Sequence, residues 1–168
     1  VIVCVDESGS TEFDDKDAWA KAIAYALVDK VGSQGRCASV IHFSSASEVS
    51  EDLFIPGQYT SEDVMNSARH FYCGGTNYEA PLRKAVSTLD SGVLSKADIV
   101  FITDGQCSIS SVFQDWLCAK LSEHHASITG VLLDSGNNFE FSLKGFCKTI
   151  YRTSELAPSE ILSELVLS

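Results

Sequence analysis

The run Val1-Ile2-Val3-Cys4-Val5, broken at Asp6, restricts the fold of this chain more than any other feature. A continuous β-branched run without polar alternation reads as a strand buried on both faces, the pattern of a parallel sheet. Three further runs repeat it: residues 37–43 (CASVIHF), 98–103 (DIVFIT) and 127–133 (SITGVLL). Stretches of helical periodicity separate them. Asp14 or Asp15 caps a helix over residues 16–31, with Trp19, Ile23, Ala26, Leu27 and Lys30 on its buried face and Gly32 as its stop. Thr60 or Ser61 starts a second helix running to about His70, and residues 78–90 form a third. A helix over 110–124 carries Val112, Trp116, Leu117 and Leu121, and a last helix spans 158–167. Residues 47–55 end in Pro56-Gly57 and read as an edge strand reached by a tight turn. Residues 139–146 read as a short helix and 148–152 as a short strand. Strand–helix alternation of this kind predicts an α/β fold: a doubly wound, mostly parallel, Rossmann-like sheet with one antiparallel edge strand and helices on both faces.

The 168 residues suffice for one domain with a full core. The chain begins inside a strand without an initiator Met, and reads as a single domain, 1–168, cut from a longer protein. No stretch approaches the roughly 20 apolar residues of a membrane span. A net charge of −11 argues against nucleic acid and favours cations or a basic surface. Six scattered cysteines, Cys4, Cys37, Cys73, Cys107, Cys118 and Cys147, with no CxxC pair, read as free thiols of a reducing cytoplasm; Cys73 and Cys107 flank two site segments and are placed to approach each other.

Chemistry concentrates where the first strand ends. In Asp6-Glu7-Ser8-Gly9-Ser10 an oxygen-bearing side chain stands at every second position, and Gly9 is expected to permit a tight turn. Open α/β sheets bind ligands at this carboxyl edge. Thr76, behind Gly74-Gly75, and Asp104, at the end of the run 98–103, are candidates to join Asp6, Ser8 and Ser10 there. Carboxylates and hydroxyls are hard donors, suited to Mg²⁺, Mn²⁺ or Ca²⁺ rather than zinc. Two carboxylates among five ligands leave a dication partly unneutralised, with room for water or an acidic group from a partner.

Together, DESGS at 6–10, Gly74-Gly75-Thr76 and Ile102-Thr103-Asp104-Gly105 resemble the three motifs of the von Willebrand factor A (VWA) domain, in order, spacing and strand context. The resemblance implies a metal-ion-dependent adhesion site (MIDAS). In it Ser8, Ser10 and Thr76 would ligate Mg²⁺ directly, with Asp6 and Asp104 holding the ion largely through water. It also implies a protein partner that completes the coordination with a Glu or Asp. VCVDESGS at 3–10, residues 71–85 and residues 97–105 look closest to intracellular ViaA-like and CoxE-like members, which act as adaptors or co-chaperones beside MoxR-type AAA+ ATPases. Thr11 stands where many of those members have Met, and Glu7, where Thr or Ser is frequent, is expected to add charge near the site's rim.

The function expected is a non-enzymatic, metal-dependent protein-binding module. Two alternatives remain: a Mg²⁺-dependent phosphohydrolase using Asp6 and Asp104, which lacks a second acid at position 8, or a VWA domain whose metal is purely structural. The other polar and aromatic residues have plainer expected roles. Glu79 belongs to a helix's first turn, His42 to the core, and His124-His125 to a helix end. Asp134 reads as a solvated loop carboxylate. Trp19, Trp116, Phe139, Phe141 and Phe146 read as packing residues.

Overall fold

A computed structural model describes residues 1–134 and 140–167. Its strands are β1 (Ile2–Asp6), β2 (Ala38–Phe43), β3 (Val49–Phe54), β4 (Ile99–Thr103), β5 (Ile128–Leu132) and β6 (Thr149–Arg152). Its α-helices are α1 (Lys16–Ser33), α2 (Ser61–Arg69), α3 (Glu79–Asp90), α4 (Ser111–His124) and α5 (Pro158–Leu167). The sheet order is β3-β2-β1-β4-β5-β6, with every pairing parallel except β2–β3. This is the expected α/β fold with one antiparallel edge. The chain winds outward in both directions from β1 and β4. The loops after these strands therefore diverge and leave a crevice at the carboxyl edge.

Strand alternation sorts the two cores. Ile2, Cys4, Ile41, Phe43, Ile99 and Phe101 face α3 and α4, whose Leu82, Ala85, Phe113 and Leu117 cover them. Val3, Val5, Val40, Val100 and Ile102 face α1 and α5, through Ala20, Ile23, Ala24, Leu27 and Ile161. The same alternation continues past the apolar runs and decides what the polar residues at the strand ends meet.

Four local expectations need correction. The buried stripe of α1 is Ala20, Ile23, Ala24, Leu27, Val28 and Val31. Two alanines bring the helix close to the sheet, and Trp19, one position off that stripe, is 38% exposed, as Lys30 is also exposed. Gly32 does not stop α1, which runs one residue further to Ser33. In α4 Phe113 takes the core place expected of Val112, which is 79% exposed. The helix expected over 139–146 is a single 3-10 turn, Glu140–Ser142; Phe139 lies outside the described residues, while Phe146 is buried as expected. All six cysteines are free, and Cys73 and Cys107 make separate contacts with Glu12 and the Thr76 carbonyl.

Candidate functional site

Asp6 ends β1 and is fully buried. The backbone N–H of Ser8 donates to Asp6 Oδ1 at 2.9 Å, which folds the following loop back over the carboxylate. The loop continues as a 3-10 turn, Gly9–Glu12, closed by the Thr11 hydroxyl donating to the Ser8 carbonyl at 2.8 Å. Ser8 Oγ and Ser10 Oγ thereby come within 3.2 Å of each other. The turn does not depend on glycine at position 9. A Cβ there would meet its nearest neighbour at an ordinary 3.7 Å, and the backbone φ is not positive. Position 105 is different: Gly105, directly after Asp104, has φ of +86°, a conformation that costs other residues.

Thr103 is the functional residue that sequence reasoning missed here. Its hydroxyl donates to Asp6 Oδ2 at 2.5 Å. With its one proton committed, the same oxygen accepts from the Tyr78 hydroxyl at 2.8 Å and from the Gly105 N–H at 3.2 Å. A buried relay therefore runs Tyr78–Thr103–Asp6. Burial pushes the Asp6 carboxyl up to about 6; the Ser8 and Thr103 hydrogen bonds oppose that rise, and the nearby Asp104 charge adds to it. Removing only the phenolic hydroxyl, by Tyr78→Phe, is expected to cost about 1 kcal/mol, because Thr103 keeps both its acceptor and one donor. A urea unfolding midpoint checks this, and an effect above about 3 kcal/mol would contradict the relay's proposed direction.

Asp104 follows β4 and is 2% exposed. Its Oδ2 accepts from Gln106 Nε2 at 3.0 Å and lies 3.5 Å from the Lys16 ammonium. Its Oδ1 is buried without a hydrogen-bond partner. The third segment, 73–77, is fastened to the first loop. Gly9 N–H donates to the Gly74 carbonyl at 2.9 Å, Cys73 N–H donates to the Glu7 carbonyl at 2.9 Å, and Ser8 and Gly74 form a parallel bridge. Ser44, beyond β2, accepts from Gly74 N–H at 3.0 Å and donates to the Gly75 carbonyl at 2.7 Å. A Cβ at position 74 would meet Ser44 Oγ at 2.8 Å and the Glu48 carboxylate, so any larger residue would have to displace both side chains. Cys107, past Asp104, donates its S–H to the Thr76 carbonyl at 3.6 Å. The fold thus brings the segments bearing Asp6, Ser8, Ser10, Thr76 and Asp104 to one edge of the sheet.

Two acidic residues differ from expectation. Glu7 is not on the rim: it is fully buried and points to the opposite face of the sheet from Asp6. There it receives His42 Nδ1 and His70 Nδ1, each at 2.7 Å. His42 is the satisfied core histidine expected. Asp134 is not solvated: its side chain is 1% exposed and paired with the Arg152 guanidinium, which donates to it from Nε and Nη2. Glu79 lies in the first turn of α3 and accepts from the N–H and hydroxyl of Ser110, the N-cap of α4, tying the two helices.

Hard oxygen donors at the carboxyl edge of a doubly wound sheet, carried by three loops, define the class of protein. Residues 1–106, which hold all three loops, match the family described as von Willebrand factor type A domain, and the chain belongs to that family. It is 27% identical over 167 residues to the uncharacterized protein MJ0077 of Methanocaldococcus jannaschii, covering 98% of this chain and 41% of the relative. The chain thus spans about two-fifths of that relative's length. An aerotolerance-related membrane protein of Bacteroides fragilis shares the fold with TM-score 0.71 and 17% identity, over 99% of this chain and 96% of that one. A von Willebrand factor type A structure from Catenulispora acidiphila shares it with TM-score 0.64 and 16% identity, over 97% and 40%.

Proposed function

We propose that this VWA domain binds Mg²⁺ through Asp6, Ser8, Ser10, Thr76 and Asp104, and uses the ion to hold a Glu or Asp of a protein partner. The observation that carries this reading is Asp104 Oδ1, a buried carboxylate oxygen with no hydrogen-bond partner. An unsatisfied buried oxygen of this kind is costly unless a ligand reaches it. Asp6 lies close enough for the two charges to interact, and one ammonium, Lys16 at 3.5 Å, balances only part of their sum. The donor set fits Mg²⁺, and equally Mn²⁺ or Ca²⁺. When bound, the ion supplies positive charge that draws a partner's carboxylate. Ser8, Ser10 and Thr76 contribute neutral oxygens, so that charge is not fully cancelled within the domain. Phe13, 67% exposed just after the Ser10 turn, offers apolar contact beside it.

This reading makes the domain a binding module rather than an enzyme. The resemblance to intracellular ViaA-like and CoxE-like proteins supports a cytoplasmic role as adaptor to a MoxR-type AAA+ ATPase. No helix among the described residues is long and apolar enough to cross a membrane. The phosphohydrolase alternative draws on one contact, Lys16 beside Asp104, which would face a phosphate. Mg²⁺-dependent hydrolysis of a phosphate ester, lost in Asp6→Asn, would favour it.

The immobilised domain should retain the MoxR-type ATPase of its own organism in Mg²⁺, release it in EDTA, and retain it again in Mn²⁺. Asp104→Ala should weaken retention at least about tenfold, the scale of one lost charge-assisted contact. Retention unaffected by EDTA, or none in Mg²⁺, would contradict the proposal.

A further inference from the structure

The reverse face of the same loop carries a cluster that the adhesion-type site does not use. Side-chain alternation sends Asp6 to the α3 side and Glu7 to the α1 side. There Glu7 meets His42, from β2, and His70, just past α2. One ligand atom from each of Glu7, His42 and His70 lies within 4.8 Å of the others. We propose that Glu7, His42 and His70 form a second metal site, selective for a zinc-class transition ion and independent of the Mg²⁺ reading above.

The donor set is the first argument. Two imidazoles and one carboxylate are the ligands of open zinc sites, whereas Mg²⁺ prefers oxygen alone. The two sites, on opposite faces of residues 6–8, would therefore select different ions. The state of the ligands is the second. A carboxylate only accepts, so in the metal-free protein both Nδ1 atoms carry protons donated to Glu7 at 2.7 Å. Metal binding moves each proton from Nδ1 to the Nε2 of the same ring, or releases it to solvent. For His42 the acceptor environment is already built: its Nε2 lies 3.0 Å from Ser67 Oγ and 3.3 Å from Asp52 Oδ2. An outer carboxylate on a ligating histidine fixes the tautomer that metal requires.

Geometry and access are the third. Tetrahedral zinc ligands lie about 3.4 Å apart, so the cluster, 4.8 Å at its widest, must contract there by up to about 1.4 Å. His70 can supply that motion, because its side chain is 35% exposed while Glu7 and His42 are buried. His70, Ser67 and Asp52 also line a cavity of about 590 Å³, which gives an ion a path from solvent. The Lys21 ammonium, 3.9 Å from Glu7, is held independently by Asp17 at 3.0 Å and by the His70 carbonyl at 2.6 Å. Its pairing therefore survives the arrival of a metal at Glu7.

The test is titration of Co²⁺ and then Zn²⁺ into EDTA-stripped protein whose accessible thiols are blocked. One equivalent of Co²⁺ should give the visible absorption of a tetrahedral site, and Zn²⁺ should displace it. His70→Ala should weaken binding at least about 30-fold and abolish the Zn²⁺-induced rise in Tm, with its circular dichroism unchanged. Asp104→Ala should leave the Co²⁺ spectrum intact. No tetrahedral band in the wild type, a band that persists in His70→Ala, or one lost in Asp104→Ala would each overturn the assignment.

Discussion

Thr103→Val is expected to destabilise the domain by about 3 kcal/mol and to weaken Mg²⁺ binding at least about tenfold. The substitution keeps shape and removes one oxygen, but that oxygen serves three groups. Asp6 Oδ2 loses its 2.5 Å donor, the Tyr78 hydroxyl its 2.8 Å acceptor, and Gly105 N–H its 3.2 Å acceptor. Asp6 and Tyr78 are fully buried, so water does not readily replace the lost partner. Each orphaned buried group costs about 1–3 kcal/mol, and more when charged. Tyr78→Phe, by contrast, orphans nothing charged, which makes the pair of variants diagnostic. Urea unfolding gives the stability difference. A loss from Thr103→Val no larger than that from Tyr78→Phe would show that Asp6 does not rely on this donor.

Glu7→Ala is expected to be at least as damaging, at about 3–5 kcal/mol, the range for breaking a buried ion pair from one side. The carboxylate anchors His42 and His70 at 2.7 Å each and lies 3.9 Å from the Lys21 ammonium. Without it, His42 Nδ1 loses its buried partner and faces a void in the core. The His70 side chain, at the start of the segment leading to Thr76, loses its anchor as well. Chemical denaturation in EDTA measures the effect without any metal contribution. A loss below about 1 kcal/mol would place Glu7 among weakly coupled surface charges.

The sheet was legible because its strands are unbroken β-branched runs, and Asp6 and Asp104 because each interrupts such a run. The loops bearing Ser8, Ser10 and Thr76 followed from their order along the chain. Thr103 was hidden inside its own strand signal. Only the β1–β4 register, which sets Val5 beside Ile102, brings it against Asp6. Glu7 was misplaced for a related reason. A polar residue in a loop motif reads as solvated, but its partners His42 and His70 lie 35 and 63 residues away, on other elements. Trp19 went wrong differently. The stripe read through Trp19, Ile23, Ala26, Leu27 and Lys30 is offset from the buried one, in which the small residues Ala20 and Ala24 approach the sheet. Asp134 was misread because its cation, Arg152, comes from the neighbouring strand β6.

The central claim, that Asp104 and its neighbours hold a dication, is tested most directly by calorimetric titration of Mg²⁺ and Mn²⁺ into the EDTA-stripped protein. Asp104→Ala and Asp6→Ala are titrated alongside. The account predicts saturable one-to-one binding in the wild type, weakened at least about 100-fold in both variants while each remains folded. Folded wild type that binds neither ion, or variants that bind as tightly as the wild type, would contradict it.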